Sequence, residues 1–199
     1  MLLLNEDSAV TEQLYKLANQ IKLAYYGNRI VIFAPLYLSN YCVNGCTYCP
    51  YHAKNKHISR KKLTQEDIVR EVTALQDMGH KRLAIEAGED PLHNPISYIL
   101  ECIDTIYHIR HKNGAIRRVN VNIAATTEEE YHMLKEAGIG TYILFQELTT
   151  RRVTKSSIPP GRNTTTTTTP RQWIVMAGGH RRCGTWRSVR AGNYPTSWW

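Results

Sequence analysis

Three cysteines stand close together in the stretch C-V-N-G-C-T-Y-C, where Cys42, Cys46 and Cys49 are separated by three and then two residues. Thiolates at this spacing can bind three irons of an iron–sulfur cluster, and Gly45 allows the backbone to turn tightly between them. The stretch has no fourth cysteine, and an open coordination position is where a metal centre binds its substrate. The spacing therefore predicts a metal centre with one open position.

A zinc site is the alternative interpretation, because His52 follows Cys49 by three residues and could complete a four-coordinate set. Zinc ligands usually come as two close couples, and Cys102 and Cys183 supply no second couple. Cys102 falls on an apolar helix stripe, which predicts a buried core thiol. Five cysteines, with three crowded into one stretch, exclude a secreted disulfide scaffold and favour the cytoplasm.

The elements that must hold the cysteine loop alternate between strand-like and helix-like segments. Strands are predicted over Arg29–Leu38, Lys81–Ala87, Ile116–Ile123 and Thr141–Phe145, and helices over Ser8–Tyr26, from Thr64 to Gly79, from Pro95 towards Gly114 and from Thr127 to Gly138. The first strand lacks polar alternation and is expected to be buried on both faces. Such alternation indicates parallel βαβ units. The predicted fold is α/β, a partial (β/α) TIM barrel of about four βα units with an irregular C-terminal tail.

The composition changes abruptly near Glu147. Nine basic residues and no Asp or Glu follow it, whereas residues 1–147 hold 16 basic and 17 acidic side chains. Six consecutive threonines, Thr164–Thr169, and all four tryptophans also lie in this last part. We therefore expect an N-terminal helical segment (1–28), a half-barrel (29–147) and an irregular basic tail (148–199). The tail is interpreted as a disordered segment or, better, as an out-of-frame translation product.

The net charge of +8 would suggest a nucleic-acid partner if it were spread over the whole chain. Because the excess lies in the tail, nucleic acid is not the expected partner. A zinc-bearing basic protein that binds nucleic acid stays open as the alternative. The basic run Lys54–Lys62 is interpreted as a solvated loop. No apolar run is long enough to cross a membrane, and no membrane partner is expected.

The cysteine spacing, with Tyr48 before the third cysteine and the loop placed after the first strand, resembles the radical S-adenosylmethionine (SAM) enzymes. The resemblance implies that the three cysteines hold a 4Fe-4S cluster whose fourth iron binds SAM, and that an electron splits SAM to a 5′-deoxyadenosyl radical. Gly88-Glu89, after the second strand, resembles the motif that receives the SAM ammonium group. Further cofactor contacts are expected from Tyr48 and, on the third strand, from Asn120 and Asn122. No residue is assigned a catalytic step.

Longer stretches narrow the resemblance to the tyrosine lyases of this family. They cover Asn5 to about Glu147 and include residues 37–57, Gly88–Pro91, 113–126 and 142–147. The resemblance implies cleavage of tyrosine to p-cresol and dehydroglycine. In the hydrogenase-maturase branch dehydroglycine becomes carbon monoxide and cyanide; the other branch serves thiamine synthesis and matches less well after Cys49. The implied partners are tyrosine, an electron donor and other hydrogenase maturation proteins.

The chain departs from those lyases after Glu147. The later barrel strands and a C-terminal extension with a second cluster are not found, and the 199-residue chain is expected to be inactive as a lyase. Gln146 and Glu147 end the fourth predicted strand and are weak site candidates, because they adjoin the break.

The out-of-frame interpretation predicts that restoring one base near codon 148 recovers a reading frame that resembles the family. Tyrosine, histidine and asparagine codons that end in adenine and cytosine, read one base out of phase, give threonine codons, which accounts for Thr164–Thr169. The DNA sequence downstream of codon 147 is the measurement. Stop codons and no resemblance in the shifted frame would contradict the interpretation.

Overall fold

The computed structural model describes residues 7–112 and 114–144. The chain divides after Ile32 into two compact units. In the first unit, helix α1 spans Ser8–Tyr26, the predicted bounds. The Asp7 side chain accepts a hydrogen bond from the Ala9 N–H at the start, and Gly27 ends the helix with a positive φ of 57°. None of the described helices is long and apolar enough to cross a membrane.

The second unit is built on a parallel sheet. Strands β1 (Ala34–Ser39), β2 (Arg82–Ala87) and β5 (Arg118–Asn122) lie in the order β1-β2-β5, and every pair is parallel. Tyr142 continues the ladder beside Val121, whose N–H donates to the Thr141 carbonyl at 2.8 Å. The predicted fourth strand therefore pairs with β5 in parallel at Tyr142. Its predicted last residue, Phe145, lies outside the described residues.

Three helices follow the strands: α2 (Gln65–Asp77), α3 (Ile96–His108) and α4 (Glu128–Glu136). Thr64 and Thr127 each form a capping box with the residue three positions later, which satisfies backbone donors that a helix start leaves free. Apolar side chains of these helices and of one sheet face form the core, which includes Leu36, Ile68, Val72, Leu83, Ile85, Ile99, Ile103, Ile106, Val119, Val121, Tyr131 and Leu134.

Helices α2, α3 and α4 leave the opposite face of the sheet uncovered. Tyr37, Glu86 and Asn122 stand level across the three strands in the observed register, and Tyr37 is 51% exposed. The expectation that the first strand is buried on both faces is therefore wrong for the described residues. From Ala34 to Tyr37 the residues alternate between buried and exposed because the helices pack on one side only, whereas Leu38 and Ser39 are both buried.

Two predicted boundaries also differ from the structure. The first strand begins at Ala34 rather than Arg29, and Ile30–Phe33 precede it as exposed chain without strand pairing. Helix α3 ends at His108, because the chain turns into a short antiparallel hairpin, β3 (Arg110–His111) with β4 (Gly114–Ala115). Residues 30–33 are as apolar and β-branched as a strand, so composition alone could not show that strand pairing begins only at Ala34.

Candidate cluster and cofactor site

Two loops meet at the carboxyl edge of the sheet. The cysteine loop follows β1, and Gly88-Glu89 follows β2, so the parallel order of the two strands brings both to the same edge. Their backbones are hydrogen-bonded directly: the Val43 N–H donates to the Glu89 carbonyl at 2.8 Å, and the Gly88 N–H donates to the Ser39 carbonyl at 3.2 Å. The predicted cysteines and the predicted glycine–glutamate pair are therefore neighbours.

Gly88 sets the separation of these two loops. A Cβ at this position would lie 2.4 Å from the Tyr41 carbonyl oxygen and 2.8 Å from Cys42 Cβ, closer than real Cβ contacts occur. Only glycine lets the β2 loop approach the start of the cysteine loop so closely. The Asn94 amide fixes the contact, donating from Nδ2 to the carbonyls of Tyr41 at 3.0 Å and Gly88 at 2.8 Å.

Asn44 links the cysteine loop to the carboxylate of Glu89. Its side chain is buried, and Nδ2 donates to Glu89 Oε2 at 2.7 Å. The Asn44 Oδ1 atom is also buried and has no hydrogen-bond partner among the described residues. The bond orients the carboxylate that the sequence assigned to the SAM ammonium group. Sequence analysis missed Asn44; its signal was a polar side chain placed between Cys42 and Cys46.

The three thiols are half-buried on one loop. Desolvation by burial raises the pKa of Cys42, and the neighbouring Cys49 thiol adds to this, while hydrogen bonds from the backbone of Asn44 and Glu89 act in the opposite sense. Within residues 7–112 and 114–144, His, Cys, Asp and Glu side chains converge nowhere into a group of three or more able to hold a metal ion. Cys42, Cys46 and Cys49, with or without His52, therefore do not form a converged ligand group in the described residues.

The donor set nevertheless fits an iron–sulfur cluster in type and place. Three soft thiols stand on one loop, and backbone groups that already hydrogen-bond Cys42 belong to the two loops that meet at Gly88. Hydrogen bonds to sulfur are among the contacts that tune such clusters. Iron also removes the thiol protons on binding, which offsets the raised pKa of Cys42.

A cleft of about 190 Å³ lies beside Glu89, between the ends of β2 and β5. Its lining includes Gly88, Glu89, Asn94, Ile123 and Thr126. Its lining includes the residues that follow the carboxyl ends of β2 and β5, at the edge that also carries the cysteine loop. The site therefore has a concave surface next to the carboxylate.

The other predicted cofactor residues are more scattered. Tyr48 is 57% exposed. Asn120 and Asn122 lie half-buried on the face of β5 turned away from the core, and Asn120 Oδ1 accepts a hydrogen bond from Arg118 Nε at 3.2 Å. Asn122 stands level with Glu86, near the edge that carries the cysteine loop. Gln146 and Glu147 lie outside the described residues.

Asp90 and His93, which follow β2, form a second pair of contacting side chains at the carboxyl edge of the sheet. The sequence did not predict this pair. The buried Asp90 carboxylate accepts hydrogen bonds from the backbone of Leu92 and His93, and Oδ2 lies 2.8 Å from His93 Nδ1. The His93 ring stacks on Tyr41 with centroids 4.1 Å apart. Burial acts to raise the pKa of Asp90, but the hydrogen bonds from His93 and Leu92 hold it below its ordinary value. Tyr41 is therefore packed in place directly before Cys42.

Comparison with known proteins gives a consistent result. The Radical SAM superfamily profile matches residues 36–160, more than half of the chain. A crystal structure of HydG, a maturase of the FeFe-hydrogenase, is similar with a TM-score of 0.84 and 52% identity, covering 89% of this chain and 39% of that chain. HydG from Carboxydothermus hydrogenoformans is similar with a TM-score of 0.79 and 38% identity, covering 89% and 41%.

Among curated sequences, 2-iminoacetate synthase of Escherichia coli is 32% identical over 140 residues, which are 70% of this chain and 35% of that protein. The chain spans well under half the length of each of these relatives. The likenesses confirm the predicted partial barrel of the radical SAM type and the resemblance to hydrogenase maturases.

Changing Cys46 to alanine is expected to abolish the 4Fe-4S cluster, because each loop thiolate is predicted to supply one iron ligand. Changing the buried Cys102 to alanine removes a thiol of the core and leaves the cluster in place. Iron and sulfide per chain after anaerobic reconstitution, with the visible absorption spectrum, are the measurements. A full four-iron cluster in the Cys46→Ala protein would show that the ligand assignment is wrong.

Proposed function

This chain belongs to the radical SAM superfamily, and on that premise we propose that it carries the cluster and SAM-binding part of a tyrosine lyase of the hydrogenase-maturase type. Enzymes of this family use a 4Fe-4S cluster together with SAM. The observation that carries the proposal is the direct contact between the cysteine loop and Gly88-Glu89, at the edge of a parallel sheet.

The proposed roles follow from this contact. Cys42, Cys46 and Cys49 would hold three irons, which would leave one iron open for SAM. The Glu89 carboxylate accepts the SAM ammonium, and Asn44 Nδ2 keeps that carboxylate turned towards the cysteine loop. When bound, the cluster supplies the electron that splits SAM and yields the 5′-deoxyadenosyl radical.

Glu89 is suited to its role by what surrounds it. It is half-buried, it lines the cleft, and the side chain that hydrogen-bonds it, Asn44, is a neutral amide rather than a cation. A hydrogen bond between charged groups in a partly desolvated site is stronger than one in open water. Binding of the SAM ammonium therefore uses the charge that the Asn44 bond orients.

Tyrosine is the proposed substrate, and its support is the likeness to HydG at 52% identity over most of the chain. The uncovered face of the sheet presents Tyr37, Glu86 and Asn122 towards the cluster edge. The Tyr37 and Tyr51 rings lie edge-on with centroids 6.5 Å apart. Burial raises the pKa of Tyr51, and Tyr37, the Cys49 thiol and Glu86 add to this. This mixture of aromatic and polar groups suits an amino acid with a phenol side chain.

A lyase of the thiamine branch is the second candidate, because 2-iminoacetate synthase matches 70% of the chain. Its 32% identity is lower than the 52% of HydG, which favours the hydrogenase-maturase branch. Both candidates share the cluster, the SAM site and tyrosine cleavage. They differ in what becomes of dehydroglycine.

Replacing Glu89 by glutamine is expected to keep the cluster and weaken SAM binding by about ten- to a hundredfold, because a charge-assisted hydrogen bond worth about 1.5–3 kcal/mol is lost. Calorimetric titration of the reconstituted protein with SAM measures the change. Glu71→Gln, at an exposed position of α2, is the matched control and leaves the affinity unchanged. Equal affinity of the Glu89→Gln and unchanged proteins would remove Glu89 from the SAM site.

Tyrosine cleavage is tested with a chimera that joins residues 1–147 to the C-terminal part of the Carboxydothermus hydrogenoformans HydG. We expect p-cresol from tyrosine under reducing anaerobic conditions, and none from the same chimera with Cys46→Ala. The 199-residue chain by itself, which covers 39% of the HydG chain, is assayed in the same way. SAM cleavage to 5′-deoxyadenosine without p-cresol in the chimera would contradict tyrosine as the substrate.

A further inference from the structure

Arg60 lies half-buried beneath the cysteine loop and contacts its backbone rather than a carboxylate. Its guanidinium donates hydrogen bonds to the carbonyl oxygens of Asn40, Tyr51, His52 and Asn55. Among the described residues, no Asp or Glu forms an ion pair with it. The four carbonyl acceptors offset part of the cost of desolvating this half-buried cation.

The acceptors bracket the cysteines. Nη1 donates both to Asn40 and, at 2.8 Å, to Tyr51, which are the residues on either side of residues 41–50. Nη2 donates to His52 at 2.8 Å and to Asn55 at 3.3 Å, farther along the same loop. One planar group thus joins the two ends of the segment that contains all three cysteines.

The backbone on either side of Arg60 is itself hydrogen-bonded to the start of the cysteine loop, so Arg60 with its four carbonyl acceptors forms an anchored clamp. The Asn40 side chain donates to the Ser59 carbonyl at 2.8 Å and accepts from the Lys61 N–H at 2.7 Å, and the Asn40 N–H donates to the Lys61 carbonyl at 3.1 Å. Ser39 and Lys62 form an antiparallel bridge next to these bonds. Arg60 therefore projects from a fixed backbone, and its guanidinium stays near the loop.

We infer that Arg60 is a positioning residue that closes the three-cysteine loop before any metal binds; its consequence for the cluster rests on the proposed function. Bringing the ends of a flexible loop together costs conformational entropy, which a preformed clamp removes from the binding step. The guanidinium suits this task because its donors lie in one rigid fork, whereas a lysine ammonium is a single point on a flexible chain.

The neighbouring basic residues do not share this role. Lys61 is exposed and lies 3.7 Å from an Asp67 carboxylate oxygen, and the Lys62 ammonium lies 3.9 Å above the centre of the Tyr98 ring. Lys54 and Lys56 are exposed. The expected solvated loop therefore agrees with the exposed Lys54, Lys56 and Lys61, whereas Arg60 and Lys62 are half-buried.

The first test uses hydrogen exchange on the metal-free, reduced 199-residue chain. In the unchanged protein the Ala53 N–H donates to the Asn44 carbonyl at 2.7 Å, across the loop that Arg60 closes. Arg60→Ala and Arg60→Lys are expected to speed exchange of this amide about tenfold or more, while core amides of α2 and α3 keep their rates. Lys56→Gln, on the same loop, is the matched control and is expected to change neither the exchange of the Ala53 amide nor that of the core amides. Unchanged Ala53 exchange in both Arg60 variants would overturn the inference.

The second test follows the cluster. After anaerobic reconstitution, Arg60→Lys is expected to hold fewer intact four-iron clusters per chain than the Lys56→Gln control. Its reduced form should also give a broadened electron paramagnetic resonance signal, because the thiolates come from a looser loop. The same yield and the same signal as in the unchanged protein would show that the clamp does not position the ligands. If the unchanged protein takes up no iron, the proposed function fails, while the hydrogen-exchange result still decides the role of Arg60.

Discussion

The close approach of the loops after β1 and β2 is the contact on which the site depends. With no Cβ at Gly88, the Tyr41 carbonyl and Cys42 come within van der Waals reach of the β2 loop. The Val43–Glu89 backbone bond and the Asn44–Glu89 side-chain bond both cross this contact. A side chain at position 88 would separate the cysteines from the carboxylate, and the proposed cluster would lose its neighbouring SAM contact.

The parallel sheet makes that contact possible. Because β1 and β2 run in the same direction, their carboxyl ends lie at one edge, and the loops that follow are neighbours without any special arrangement of their own. Helices α2, α3 and α4 bury only one face of the sheet, and the polar groups Glu86 and Asn122 stand on the other. Core packing thus stabilises the strands, while the uncovered face and the edge carry the polar groups.

The loops are held mainly by neutral amides and backbone groups. Asn94, just before α3, binds the carbonyls of Tyr41 and Gly88; Asn44 binds Glu89; Asn40 and Arg60 close the base of the cysteine loop. These braces come from segments on both sides of the cysteines. The stacked His93 ring adds a packing contact on Tyr41. The geometry of the thiol loop is therefore set by its surroundings more than by the eight residues from Cys42 to Cys49.

Local chemistry let the sequence determine much of this protein. Helix periodicity, the Thr64 and Thr127 caps and Gly27 predicted the helices, because these signals act within one or two turns. Cysteine spacing predicted a metal site on the loop after β1, and the resemblance of Gly88-Glu89 to a family motif added the expected SAM contact; both stay predictions. The start of β1, its one-sided burial and the clamps by Asn44, Asn94 and Arg60 were decided only by tertiary structure. Strand pairing and hydrogen bonds between residues such as Asn44 and Glu89, 45 positions apart, leave no periodic trace in the chain.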